Sequence, residues 1–162
     1  MIFWVGGPAG AGKSTVSRLL AGKYGFVWYS VDAHASDHEA RAAAAGLHVL
    51  GSGPGDFDRR PMIVEDIQAL PVGTSVVVEG AFVTPAMAGV AENAVWLMPS
   101  KDEQLARLEG RNPGGDHSGL VWGWELVRSQ LGGTDARVIV VDGQTVEQTL
   151  KAVEQRFGAL LA

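Results

Sequence analysis

One loop limits what this chain can fold into more than any other segment. Gly7-Pro8-Ala9-Gly10-Ala11-Gly12-Lys13-Ser14-Thr15 follows the apolar run Ile2-Phe3-Trp4-Val5 and precedes Val16-Ser17-Arg18-Leu19-Leu20-Ala21. The loop fits G-x-x-x-x-G-K-[ST]. The run before it suits a buried strand, and Leu19 and Leu20 stand three and four residues after Val16, as on one helix face. Strand, glycine loop and helix in that order let consecutive backbone N–H groups turn inward around a phosphate, with the positive end of the helix behind them. On that geometry Lys13 reaches the β- and γ-phosphates of a nucleotide and the Ser14 hydroxyl sits on Mg²⁺.

Length and composition narrow the classes further. A chain of 162 residues, 46% hydrophobic and 19% charged, is expected to form one domain with a sizeable core. The net charge of −5 argues against a general nucleic-acid surface, which wants a basic excess. It says little against a small phosphorylated ligand, which a few arginines can hold. With no cysteine, disulfides, thiol catalysis and zinc-thiolate sites are excluded. The chain opens on a strand, without a basic-then-apolar leader or an apolar run near 18 residues, so a cytoplasmic protein with no membrane partner is expected.

Strands and helices alternate along the whole chain, which predicts an α/β fold with a parallel sheet covered on both faces. Strands are expected at 2–5, 26–30, 75–79, 94–98 and 137–141, with Gly25 stopping the first helix. Residues 32–45 read as one Ala-rich helix, 46–61 as loop, and 62–70 as a short helix stopping at Pro71. Thr84-Pro85 starts another. Ser100 caps a helix to about Gly110, with Glu103 in the capping-box position. Residues 111–119 read as a glycine-rich polar loop, 120–131 as helix and 145–161 as the closing helix.

With the loop, the Asp32 region and the late arginine-plus-glycine loop in order, the chain resembles the nucleoside-monophosphate-kinase-like P-loop kinases. The Walker A loop followed by Lys23-Tyr24-Gly25-Phe26 is similar to the opening of cytidylate kinase. Ser30-Val31-Asp32 is more like shikimate kinase, gluconate kinase and the phosphotransferases acting on chloramphenicol. The resemblance covers most of the chain as an order of elements and is specific only at the phosphate loop. It implies a three-layer P-loop NTPase fold, a five-stranded parallel sheet flanked by helices, an acceptor-binding segment at about 32–70 and a short lid at about 111–119. It also implies transfer of the ATP γ-phosphoryl group, with Mg²⁺, to a small-molecule acceptor.

The remaining candidates follow from position. Gly7, Ala9, Gly10, Ala11, Gly12, Lys13, Ser14 and Thr15 would cradle the nucleotide. Asp32 stands past the second strand, at the edge where parallel sheets bind ligands. In similar kinases an acid here meets the acceptor hydroxyl and can act as base. The alternative is a helix N-cap, and both can hold. Ser30 departs from the Asp-x-Asp pattern of shikimate kinase. Of the nearby His34, Asp37 and His38, only His34 is expected to touch an acceptor, the other two being solvated helix residues. Glu79 ends the most apolar strand, where an acid serves either Mg²⁺ or the acceptor. Arg107 and Arg111 lie four apart and face the lid, where arginine clamps ATP oxygens and neutralises the transferred phosphoryl. Pairing of Arg107 with Glu103 is the bland alternative. Arg59 and Arg60 either bind an anionic group of the acceptor or lie in a solvated loop. Trp122 and Trp124 either wall a pocket or pack in the core.

The reading that unites these residues is a kinase for a small hydroxylated metabolite, nucleoside or antibiotic, with Lys13, Asp32 and Arg111 as its catalytic residues. A nucleoside monophosphate kinase is the nearest alternative, although basic residues between the second and third strands are few. A regulatory P-loop NTPase is the other, although no N-K-x-D guanine motif is present. Oligomeric state has no signature here.

Overall fold

The computed structural model describes residues 1–48 and 57–162. In chain order they form β1 (Ile2–Gly6), α1 (Lys13–Tyr24), β2 (Val27–Ser30), a 3₁₀ turn (Asp32–His34), α2 (Ala35–Ala44), α3 (Arg60–Gln68), β3 (Val76–Glu79) and α4 (Pro85–Ala88). Then come β4 (Ala94–Met98), α5 (Lys101–Arg111), α6 (Ser118–Leu131), β5 (Val138–Val140), α7 (Val146–Phe157) and a closing 3₁₀ turn (Gly158–Leu161). The strands make one sheet in the order β2-β3-β1-β4-β5, and every pairing is parallel.

Both faces of the sheet are buried because side chains alternate along each strand. Phe3, Val5, Val77, Val95 and Leu97 face α1 and α7, where they meet Val16, Leu20, Val153 and Phe157. Trp4, Val76, Val78, Ala94 and Trp96 face the opposite layer with Ile63, Val83 and Met87. Each large side chain so buried contributes roughly 1.5–3 kcal/mol. The register then lines up the chemistry: Val5 stands against Glu79 and Glu79 against Ser30. The strand ends and the loops after β1, β2 and β3 therefore share one edge.

Gly6 shows how tightly that edge is built. A Cβ there would lie 2.2 Å from Trp96 Nε1 and 2.6 Å from the Val83 carbonyl oxygen, the two groups joined by a 2.9 Å hydrogen bond from the indole. Gly6→Ala should therefore displace a buried tryptophan and break its bond, at a cost of about 3 kcal/mol or more. Urea unfolding of the variant, followed by tryptophan fluorescence, checks this.

Several boundaries differ from expectation for local reasons. The stretch 32–45 is a 3₁₀ turn followed by α2, and no side chain caps α2 at His34. Of the expected loop 46–61, residues 49–56 lie outside the described residues, and Arg60 and Pro61 already belong to α3, whose first turn tolerates proline. The glycine-rich loop shrinks to 112–117. Arg111 still belongs to α5, and Asp116 accepts the Ser118 N–H at 2.9 Å, which starts α6 two residues before its first apolar position. The expected box at Ser100 is half made. Ser100 Oγ accepts the Glu103 N–H at 3.2 Å, but the Glu103 carboxylate bonds Arg107 at 2.7 Å and the Ser100 N–H goes to Asp142 at 2.6 Å.

Candidate active site

The glycine loop turns because Gly7, Gly10 and Gly12 adopt φ of +135°, +79° and +88°, a region that side chains disfavour. Gly12 is the N-cap of α1 and no side chain caps that helix, which leaves its first-turn N–H groups for an anion. Lys13, only 6% exposed, folds over the loop and donates to the Pro8 carbonyl at 2.9 Å. Burial lowers its pKa against the pull of Asp32 and Glu79, and Arg111 lowers it further. Lys13, Asp32, Glu79 and Arg111 thus share an electrostatic neighbourhood.

Ser14 Oγ donates to Glu79 Oε1 at 3.1 Å. Glu79 is fully buried, and its Oε2 has no hydrogen-bond partner among the described residues. Burial pushes its carboxyl up, which the neighbouring Ser30, Lys13 and Ser14 offset only in part. A buried carboxylate oxygen left open beside a serine hydroxyl is a donor set that fits a hard divalent cation.

Asp32 caps no helix. Both of its carboxylate oxygens accept the Ala81 N–H, at 3.0 and 3.1 Å. Gly80 makes this approach possible, since a Cβ there would stand 2.9 Å from Asp32 Oδ1. The carboxylate stays exposed, held at the sheet edge near Lys13. His34 beside it is fixed in place. Its ring stacks on Tyr29 at 4.3 Å, and its Nδ1 bonds the Ser30 carbonyl at 2.7 Å.

The loop is also gripped from α5. Gln104, fully buried, donates to the Ala9 carbonyl at 2.9 Å and the Leu120 carbonyl at 3.2 Å. Sequence reasoning missed it, although a glutamine four residues before Leu108, at an inward position, was the available signal. Arg107 makes the expected pairing and two backbone bonds besides. It pairs with Glu103, and it also bonds the Gly10 carbonyl at 3.2 Å and the Val141 carbonyl at 3.0 Å. Arg111 is exposed one turn later. The 112–117 loop beyond it is tied down by Glu109, which accepts the Gly114 N–H at 2.6 Å and meets His117 Nε2 at 3.1 Å.

Arg59 and Arg60 part company. Arg59 is 2% exposed, with its guanidinium 4.4 Å from the ring centres of both Phe57 and Phe82. It also bonds the Ala35 carbonyl at 3.3 Å and Glu39 at 3.4 Å. Arg60 is exposed on α3. The guanidinium packs against both aromatic rings.

His38 corrects an expectation. Asp37 is exposed and pairs with Arg41 at 3.0 Å, but His38 is fully buried rather than solvated. Its Nε2 lies 3.0 Å from the Tyr29 hydroxyl and 3.3 Å from Asp66, which Tyr29 also reaches at 2.5 Å. The burial arises because α2 packs this face toward β2 and α3, a contact no local pattern announces. Asp37, His38 and Asp66 each bring one potential ligand atom within 4.8 Å of the others, but Arg41 bonds both carboxylates and already supplies the positive charge.

Burial lowers the His38 pKa below its ordinary 6.5. Burial pushes Asp66 up, but the bonds from Tyr29, Arg41 and His38 outweigh it and hold it low. In both cases the unfolded chain binds more protons than the folded one, so stability falls with falling pH, for His38 from about pH 6.5 downward. His38→Gln should flatten that slope between pH 7 and 5, as measured by urea unfolding at both values.

Beside the glycine loop lies an open cleft of about 570 Å³. Pro8 and Ala9 of that loop, Phe57, Arg59, Ala81, Phe82 and Met87, and residues of α6 line it. Trp122 lines it and is 66% exposed, whereas Trp124 is buried with Met98 and Val127 and donates its indole N–H to the Pro99 carbonyl at 2.8 Å.

Comparison with protein-family models and with curated proteins finds no match. Solved structures do match. A gluconokinase from Sinorhizobium meliloti 1021 superposes with a TM-score of 0.61 at 20% identity, covering 99% of this chain and 92% of that one. A sugar kinase from Janibacter sp. HTCC2649 gives 0.61 at 16% identity, with 99% and 97% covered. The tunicamycin resistance protein of Deinococcus radiodurans gives 0.64 at 18%, with 97% and 95% covered.

The chain has the three-layer P-loop NTPase fold.

Within that fold the phosphate loop, Lys13, Ser14, Glu79 and Asp32 come together at one edge of the sheet, with Arg107 holding the loop from behind. Among the described residues no helix is long and apolar enough to cross a membrane.

Proposed function

We propose that the protein is a kinase: a single-domain phosphotransferase that moves the γ-phosphoryl group of ATP to a hydroxyl of a small-molecule acceptor. The observation that carries this reading is the placement of an exposed, backbone-anchored Asp32 carboxylate in the same neighbourhood as buried Lys13 and Glu79. A nucleotide-binding module has no need for the first of these.

In this reading Gly7, Ala9, Gly10, Ala11, Gly12, Lys13, Ser14 and Thr15 hold the phosphates through backbone N–H groups, the lysine and the hydroxyls. Ser14 and Glu79 would hold Mg²⁺, which would supply positive charge to the nucleotide phosphates. Asp32 orients the acceptor hydroxyl and takes its proton as the oxygen bonds to phosphorus and the bond to the β-phosphate oxygen breaks, releasing ADP. Lys13 and Arg111 stabilise the charge on the transferred group. Arg107 keeps the loop in shape, and the 112–117 segment serves as a short lid. His34 borders the acceptor end. Arg59 shapes the acceptor wall through its aromatic neighbours, and Arg60, on the outer side of α3, is the less supported of the pair. That division disfavours a monophosphate acceptor, which requires open arginines.

ADP release with Mg²⁺–ATP, measured across nucleosides, nucleoside monophosphates, sugar acids, polyols and hydroxylated aromatic compounds, tests the proposal. A kinase shows slow hydrolysis alone and strong stimulation by its acceptor. ATP binding with no stimulation by any class points instead to a regulatory NTPase.

A further inference from the structure

We infer that the acceptor is an uncharged alcohol with a largely apolar, drug-sized body, rather than a polyol, sugar acid or phosphorylated compound. The inference rests on the phosphotransfer reading above and concerns what occupies the cleft beside the phosphate loop.

The cleft, at about 570 Å³, falls within the range of roughly 300–1,000 Å³ that encloses drug-sized ligands. Pro8, Ala9 and Ala81 are among its lining residues, and Ala81 is the residue whose N–H holds Asp32. A hydroxyl beside Ala81 is near the Asp32 carboxylate, and residues of α6 line the space for the rest of the molecule. Among the described residues, the polar side chains lining the cleft are Asp58, Arg59, Thr84, Trp122 and Gln130. Arg59 is buried between two rings and bonded to Ala35 and Glu39, so it presents aromatic faces rather than an open anion clamp. A polyol laid along such walls leaves most of its hydroxyls against carbon, and each unpartnered hydroxyl costs about tenfold or more in affinity.

Helix α6 supplies a second, independent observation. Gly119 and Gly123, four residues apart, both line the cleft. A Cβ at either would meet nothing within 4 Å among the described residues beyond its chain neighbours and the adjoining helix backbone. Glycine inside a helix is unfavourable relative to alanine, and neither position has a positive φ that would require it. Local packing does not demand these glycines either. Their effect is to widen the cleft between Leu120, Trp122 and Leu126, three large apolar side chains left exposed, and so to leave a flat groove for a ring or chain.

The test uses the whole protein with Mg²⁺–ATP and two acceptor series: aryl-alkanols from 4-phenylbutan-1-ol to 6-phenylhexan-1-ol, and the polyols ribitol and xylitol with the sugar acid gluconate. Binding is followed by tryptophan fluorescence against a Trp122→Phe control, and transfer by ADP release. The expected result is binding and phosphorylation of the aryl-alkanols, with kcat/KM rising along the series and far above that of the polyols and gluconate. Gly123→Leu should weaken aryl-alkanol binding by about 10–200-fold, the scale of a misfit of methylene size or more. It should leave ATP affinity unchanged and the melting temperature equal or higher. Gly119→Leu provides a second variant at the other end of the same groove.

Phosphorylation of the polyols or gluconate at equal or better efficiency overturns the inference and leaves the kinase reading intact. Failure of the aryl-alkanols to bind, or binding indifferent to both glycine variants, overturns it as well. Glycine-dependent binding of aryl-alkanols without ATP turnover by any acceptor upholds the apolar preference of the cleft and overturns phosphotransfer.

Discussion

Lys13→Met is expected to lower acceptor-dependent ADP release by roughly 10³-fold, the scale of losing a preorganised charge from a transition state. Among the described residues, Arg107 is occupied by Glu103 and by the Gly10 and Val141 carbonyls, and Arg111 is exposed, outside the slot that Lys13 fills. Lys13→Arg should rescue little, because a guanidinium is wider than the slot that leaves Lys13 only 6% exposed. The fold should survive, since burial already disfavours the charged ammonium. That shift carries its own signature. Burial lowers the folded pKa of Lys13 below its ordinary 10.5, so the unfolded chain binds more protons as pH approaches 10.5. The lysine's contribution to stability therefore grows with pH over that window. Lys13→Met should remove the slope. Single-turnover transfer, ATP titration calorimetry and melting at pH 8 and 10 check the three parts.

Asp32→Asn should lower kcat by about 10²–10⁴-fold, the usual range for losing a general base, with a smaller effect on acceptor KM. The substitution is close to isosteric. An asparagine Oδ1 can still accept the Ala81 N–H that now binds both carboxylate oxygens, so the side chain should keep its place and the protein its melting temperature. What disappears is the ability to take a proton. An unchanged kcat would leave Asp32 as an anchor between the 3₁₀ turn and the loop after β3, and would return the base to solvent. Initial rates across acceptor concentrations separate the two parameters.

Much of the molecule was legible locally. The glycine loop fixed the strand before it and the helix after it, because only glycine takes the positive φ that turns N–H groups inward. The strands at Val76–Glu79 and Ala94–Met98 stood out as short apolar runs bounded by turn residues, and Thr84 caps α4 through the Met87 N–H at 3.1 Å. Asp32 and Glu79 were singled out by where a carboxylate falls after an apolar strand. His38, Arg59 and Gln104 were not legible in the same way. A polar residue on a helix is exposed or buried according to what packs on it, and the partners here are distant in sequence. Asp66 lies 28 residues from His38, Phe82 packs on Arg59 from another element, and Ala9 lies 95 residues from Gln104.

By itself the sequence determined the alternation of strand and helix and the glycine loop between β1 and α1. These depend on short-range properties: side-chain period, glycine conformations and the order of neighbouring residues. The tertiary structure alone decided which arginine is buried and which is open, that Asp32 bonds Ala81 instead of capping a helix, and that two glycines of α6 open a cleft beside the loop. Those features depend on which distant surfaces meet, because a side chain's partners, and not its type alone, set what its charge is bound to.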